Sequence, residues 1–156
     1  MSVPFQPASY HTATPYIIVK GAADAIEFYK TAFGATEVMR LAGPDGRIVH
    51  AEIKIGDSII MLGEENPQWG AISPKSLGGS AVGMCLYFPD VDARFAGAVA
   101  AGATVERPVQ DQFYGDRSGS VVDPYGHKWT IATHVEDVTP EEMDRRFRAE
   151  MQKFAA

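Results

Sequence analysis

Two stretches of this chain, ADAIEFYKTAFGATEV (residues 23–38) and DARFAGAVAAGATVE (92–106), are built to one plan. Each carries apolar residues at helical spacing and ends in Gly-Ala-Thr, so Gly34 and Gly102 fall where a left-handed residue stops a helix. Before each lies a short apolar run, YIIVK (16–20) and GMCLYF (83–88), that reads as a buried strand. After the first come TEVMRL, RIVHAEIKI and SIIML; after the second come TVERPV, SGSVVD and HKWTIAT. Gly34 and Gly102 are 68 residues apart, and the turn glycines Gly56 and Gly126 are 70 apart. Two anchors at nearly one offset predict a duplicated unit of strand, helix and three strands, βαβββ, and hence an α+β fold. The expected layout is module one at about 14–63, a linker at 64–80, module two at 81–135 and a C-terminal helix at 139–154.

With 156 residues the chain can bury one sizeable core, or two small halves can share one. Its net charge of −6 argues against a nucleic-acid partner. No apolar stretch approaches the ~20 residues of a membrane helix. The N-terminus lacks a basic region followed by an apolar core, so it reads as no signal peptide, and a cytoplasmic location is expected. Cys85 stands alone inside VGMCLYF, which excludes an internal disulfide and reads as a buried small hydrophobe.

Several polar residues have a structural reading. In DPYG (123–126) Asp123 opens a type I turn and should bond the amides of that turn. His127 follows directly and should be solvated, whereas Trp129 shares a face with Ile131 and should be core. The linker GEENPQWGAISPKSLGGSA (63–81) should have little regular structure. Its Trp69 packs on a domain edge or subunit contact, or else closes over a ligand. In VTPEEMDRRFRAEMQKF (138–154), Thr139, Pro140 and Glu142 form a helix-start signature, and Glu141/Arg145, Glu142/Arg146 and Asp144/Arg148 are favourably ordered pairs. Met143, Phe147, Met151 and Phe154 make one apolar stripe, which docks on the core or on a second subunit.

Candidate functional residues come from strand alternation. In RIVHAEIKI, Val49, Ala51, Ile53 and Ile55 share one face, expected to meet the helices; Ile48, His50, Glu52 and Lys54 share the other. His50 and Glu52 then lie within about 7 Å of each other. That pair suits a small-molecule pocket, acid/base chemistry with Glu52 as the base, a shared metal, or a plain ion pair. In YGDR (114–117), Tyr114 offers a ring with a hydroxyl tip and Arg117 a fork for a carboxylate or phosphate. Arg117 could equally hold Asp116 or the acidic VED at 135–137. His50, Glu52, Tyr114, Arg117 and Trp69 are therefore the candidate ligand-binding residues. Phosphate-binding loop, nucleophile elbow, paired CxxC and HExxH motifs are all missing from the sequence.

TPYIIVKGAADAIEFYKTAFGA, HAEIKIGDSIIML and YGDRSGSVVDPYGHKWTIATHVEDVTPEEM together resemble the PhnB-like branch of the glyoxalase/bleomycin-resistance group, the vicinal oxygen chelate superfamily. The resemblance implies two βαβββ modules in tandem forming a curved mixed sheet around a cleft, and a homodimer. In many such proteins a divalent metal in the cleft chelates vicinal oxygens of the substrate; others sequester drugs without one. The positions that carry metal ligands in those relatives align with Thr14, Ile60, Gly83 and Thr130, none of them a usual ligand. The expectation is a small-molecule binder without the usual metal site. The alternative is a lyase, isomerase or dioxygenase using Zn, Mn, Fe or Ni at His50 and Glu52.

Overall fold

The computed structural model describes residues 2–155. Both expected units are present. The first comprises β1 (Tyr16–Val19), α1 (Ala22–Phe33), β2 (Thr36–Ala42), β3 (Ile48–Ile55) and β4 (Ser58–Glu64). The second comprises β5 (Gly83–Tyr87), α3 (Val91–Ala101), β6 (Thr104–Asp111), β7 (Asp116–Val122) and β8 (Lys128–His134). Each unit forms a four-stranded mixed sheet, in the orders β1-β4-β3-β2 and β5-β8-β7-β6. The first strand of each runs parallel to the last, and the other pairings are antiparallel.

The helices end as their sequences dictate. Gly34 closes α1 at φ 67°, a left-handed geometry that a side chain would resist. The start of α1 has no side-chain cap of its own. Instead the Glu64 carboxylate, at the end of β4, accepts from the N–H groups of Gly21 (2.9 Å) and Ala22 (2.7 Å). In α3, Asp90 caps the helix by accepting from Ala93 N at 3.0 Å. Ala22, Ala25, Ile26, Tyr29, Ala32 and Phe33 form the fully buried face of α1, at the spacing of an amphipathic helix.

The two units share one core. Helix α1 packs on α3, and its Phe33 and Tyr29 rings lie 4.8 and 5.5 Å from the Trp129 ring of β8. Asp123 pins this junction. Its Oδ1 accepts from the backbone of Tyr125 and His127, both at 2.9 Å, as its turn predicts. Its Oδ2 accepts from the Tyr29 hydroxyl at 2.6 Å and from Trp129 Nε1 at 2.8 Å. A carboxylate read as local therefore joins the first helix to the second sheet. Four donors also explain how a charge is tolerated at 3% exposure.

Four local readings need correction. His127 is buried, not solvated, because its Nε2 lies 2.8 Å from the backbone carbonyl of Ile18 on β1. Cys85 is exposed, because it alternates with Met84 and Leu86, which pack on the core. Val49 is 41% exposed and Ile48 is buried in the core, the reverse of the expected alternation, because the β2–β3 register shifts there and skips Val49. The linker contains a 3₁₀ turn, Pro67–Trp69, and a short helix α2, Pro74–Leu77, each capped by the side chain before it, Asn66 and Ser73.

Helix α4 (Pro140–Ala155) begins with Thr139 accepting from Glu142 N at 3.3 Å. Of the expected pairs, Glu142–Arg146 (2.8 Å) and Asp144–Arg148 (2.9 Å) form. Arg145 turns to Glu142 rather than Glu141. Phe147 reaches Phe113, ring to ring at 5.9 Å, but Phe147, Met151 and Phe154 all remain exposed.

Candidate functional site

The faces of the sheets opposite the helices carry two separate polar clusters. On the first sheet, Ala51, Ile53 and Ile55 turn toward the core and are at most 4% exposed. His50 and Glu52 therefore point the other way. His50 Nε2 lies 3.2 Å from Glu52 Oε1, and His50 Nδ1 lies 3.0 Å from the Tyr16 hydroxyl on β1. The second carboxylate oxygen of Glu52 accepts from the Tyr10 hydroxyl, which the N-terminal segment brings over the sheet. Four side chains thus form one chain: Tyr16, His50, Glu52, Tyr10.

Gly63 makes room for this arrangement. A Cβ there would come within 2.6 Å of the Val49 carbonyl and 3.4 Å of the Tyr16 hydroxyl. With hydrogen alone, β3 and β4 stay close and Tyr16 reaches across β4 to His50.

The proton order follows from the partners. A carboxylate only accepts, so His50 Nε2 carries a hydrogen. When the ring is neutral, Nδ1 accepts from Tyr16 and the Tyr16 oxygen keeps free lone pairs. When the ring is protonated, Nδ1 donates instead and Tyr16 can turn its own hydrogen outward. The carboxylate and its hydrogen bond hold the Tyr10 hydroxyl in its protonated form, above its usual range. Glu52 itself is only 8% exposed. Beside it lies a cavity of about 410 Å³, walled by Tyr10, His11, Thr12, Met61 and the Phe5–Pro7 stretch. The cluster can accept hydrogen bonds from a ligand hydroxyl or amine and can move a proton between phenol, imidazole and carboxylate.

On the second sheet, the Asp116 carboxylate accepts from the Tyr87 hydroxyl at 2.7 Å and meets His134 Nδ1 at 2.7 Å. His134 Nε2 meets Asp137 at 2.7 Å. Asp116 pushes the Tyr87 hydroxyl up to about 12, through the hydrogen bond first and desolvation second. The two carboxylates raise His134 above its ordinary value, Asp137 more than Asp116. Desolvation and the Asp116 charge push the Cys85 thiol up, the opposite of what a nucleophile needs.

The expected residues therefore separate. His50 and Glu52 meet. Tyr114 lies with the second cluster, its hydroxyl 3.5 Å from Ser118 Oγ. Arg117 alternates with Asp116 and Ser118 along β7 and faces the helices instead. There it grips Asp92 of α3 with two bonds of 2.9 Å and Asp111 with one of 3.2 Å. Its ion pairs are internal, as one reading held, though not with Asp116. Trp69 is 70% exposed and borders a separate cavity of about 400 Å³ with Arg47, Glu64 and Glu65.

Sequence reasoning missed Tyr10, Tyr16, Tyr87 and His134. Alternation from Ile17 and Val19 could have put Tyr16 on the His50 face. Tyr10 lies in an irregular segment, where no periodicity operates.

A divalent metal of the kind held by many superfamily proteins finds no matching donor set. Of the positions that the resemblance aligns with metal ligands, Thr14, Gly83 and Thr130 are not usual ligands, and Ile60 pairs with Ile53 on the buried, helix-facing side. Among the described residues no three His, Cys, Asp or Glu side chains gather around one point. His50 and Glu52 are two donors, already bonded to each other.

Residues 10–131 match the family described as Glyoxalase/Bleomycin resistance protein/Dioxygenase superfamily. An uncharacterized protein of Mycobacterium bovis is 41% identical over 146 residues, covering 92% of this chain and 93% of its own. The X-ray structure of an Arabidopsis thaliana gene product superposes with a TM-score of 0.63 at 27% identity, over 79% of this chain and 98% of that one. TioX from Micromonospora superposes at 0.62 with 24% identity, over 83% and 100%. The fosfomycin resistance protein FosX of Listeria monocytogenes superposes at 0.60 with 18% identity, over 85% and 97%.

Proposed function

This chain belongs to the Glyoxalase/Bleomycin resistance protein/Dioxygenase superfamily, and from that premise we propose that it binds a small organic molecule on the open face of its first sheet, without the usual superfamily metal. The observation that carries the reading is the Tyr16–His50–Glu52–Tyr10 chain beside its cavity. The shielding of Glu52 from solvent strengthens each hydrogen bond made there. A ligand with a hydroxyl or amine replaces Tyr10 on Glu52 and gains the free lone pairs of Tyr16. The Met61 side chain supplies apolar contact.

The proposed working unit is a cytoplasmic homodimer. Its support is the uncovered apolar side of α4, where Phe154 is 77% exposed and Phe147 45%. Among the described residues no helix is long and apolar enough to cross a membrane.

The test is a thermal-shift screen of small amines, polyols and hydroxylated aromatics against the wild type and Glu52→Gln, before and after chelator treatment and remetallation. The reading expects compounds that stabilise the wild type, lose their effect with Glu52→Gln, and act equally in metal-stripped protein. Stabilisation that appears only after a divalent ion is restored, with one ion bound per chain and lost in His50→Ala, overturns it in favour of metal-dependent chemistry.

A further inference from the structure

A cavity of about 810 Å³, not lined by Glu52, lies in the seam where the two modules meet. One wall is the outer edge of β1, the other the start of β5, and the linker with α2 closes one side. No hydrogen-bonded ladder joins β1 to β5, so the modules touch through helices and core and leave this gap between their sheet edges. Its volume falls within the range of small-molecule sites.

The lining defines what fits. It contains no Asp, Glu, Lys or Arg side chain. Ile17, Ile72, Pro74 and Met84 make an apolar interior, and Leu77 and Val82, 68% and 69% exposed, stand at its edge. An ionic ligand would leave water there without a counter-charge. Thr12, Thr14, Tyr16 and Ser80 add hydroxyl-bearing side chains to the lining, and His127 is its one buried polar side chain. His127 lines the cavity, is 7% exposed, and directs Nε2 at the Ile18 carbonyl. A carbonyl only accepts, so Nε2 holds the hydrogen and Nδ1 of the neutral ring is an acceptor. No protein donor among the described residues reaches Nδ1.

The same bond bears on the class of occupant. An added β-strand from another chain would need the outward carbonyls of β1 for its ladder. His127 already takes that of Ile18. We propose that the seam is a second binding site, for an uncharged, largely apolar small molecule that donates one hydrogen bond to His127 Nδ1. The site is separate from Glu52 itself, although it shares Tyr16 with that cluster and Thr12 and Thr14 with the cavity beside it.

Two uncharged probes of nearly equal shape test this. 2-Phenylindole has an N–H donor and 2-phenylbenzofuran does not. Fluorescence titration of the full chain should show one site per chain for the indole, with the benzofuran about fivefold weaker, the ratio that one neutral hydrogen bond supplies. Val82→Arg puts a charge at the edge of the cavity, and Ala81→Trp fills space beside it. Both should weaken the indole tenfold or more while circular dichroism remains that of the wild type. Glu52→Gln should leave the affinity unchanged, which separates this site from the one proposed above. Equal affinity for the two probes, or indole binding that survives both cavity variants, overturns the proposal. So does a loss of binding caused by Phe147→Glu, which would place the probe on α4.

Discussion

Asp123 and Gly63 are the two residues on which most depends. Asp123 was legible as a turn residue, because Asp-Pro-x-Gly states its own local bonds. Its grip on Tyr29 was not legible, since no local pattern encodes a partner 94 residues away. Replacing Asp123 with Ala strands two buried donors, Tyr29 Oη and Trp129 Nε1, at about 1–3 kcal/mol each. Urea unfolding should show a loss of roughly 3–5 kcal/mol, with Asp123→Asn losing less because one acceptor survives. Gly63 read as the first residue of the linker, and the structure places it inside β4. Gly63→Ala forces the Val49 carbonyl and the Tyr16 hydroxyl to move. It should cost about 1–3 kcal/mol by the same measurement, and the Tyr16–His50 bond with it.

At the scale of elements, the sequence predicted every strand and each of the three long helices, because alternation and helical spacing are local properties. Faces were harder to read. Tyr114 lies in the turn before β7, where strand alternation does not operate, and it meets the open side of the second sheet while Arg117 meets α3. Two ion-pair clusters toward the C-terminal end, Glu142 within α4 and His134 at the end of β8, respond to pH with opposite sign. Glu142 is lowered to about 2 by Arg145 first and Arg146 second. A depressed carboxyl contributes stability that is present above its unfolded value, near 4.5, and is lost as pH falls toward 2. The helical circular dichroism from α4 should decline across that window in the wild type and follow a flatter course in Glu142→Gln. His134 is raised above 6.5 by Asp137 and then Asp116. A raised imidazole contributes stability fully present below its unfolded value, near 6.5, and lost as pH rises through the folded value. The His134 ring protons in NMR should titrate with a midpoint above 6.5, and Asp137→Asn should bring that midpoint down.

For the whole molecule, duplication explains both what the two halves share and where they differ. The repeat produces two sheets of the same strand order, and the helices between them bury one aromatic core. The open faces have diverged. One carries His50 and Glu52 with two tyrosines; the other carries Asp116 with Tyr87 and His134. Family and fold were readable from the sequence because they reside in the repeated frame. The site was half readable: strand alternation paired His50 with Glu52, but Tyr10 and Tyr16 arrive from elsewhere in the chain. The central claim is that Glu52 receives a ligand in place of Tyr10. The direct measurement is a crystal structure of the wild type with the strongest compound from the screen. The account predicts that compound within hydrogen-bond distance of Glu52, with the Tyr10 hydroxyl moved away. A bound compound elsewhere, with Tyr10 still on Glu52, would contradict it.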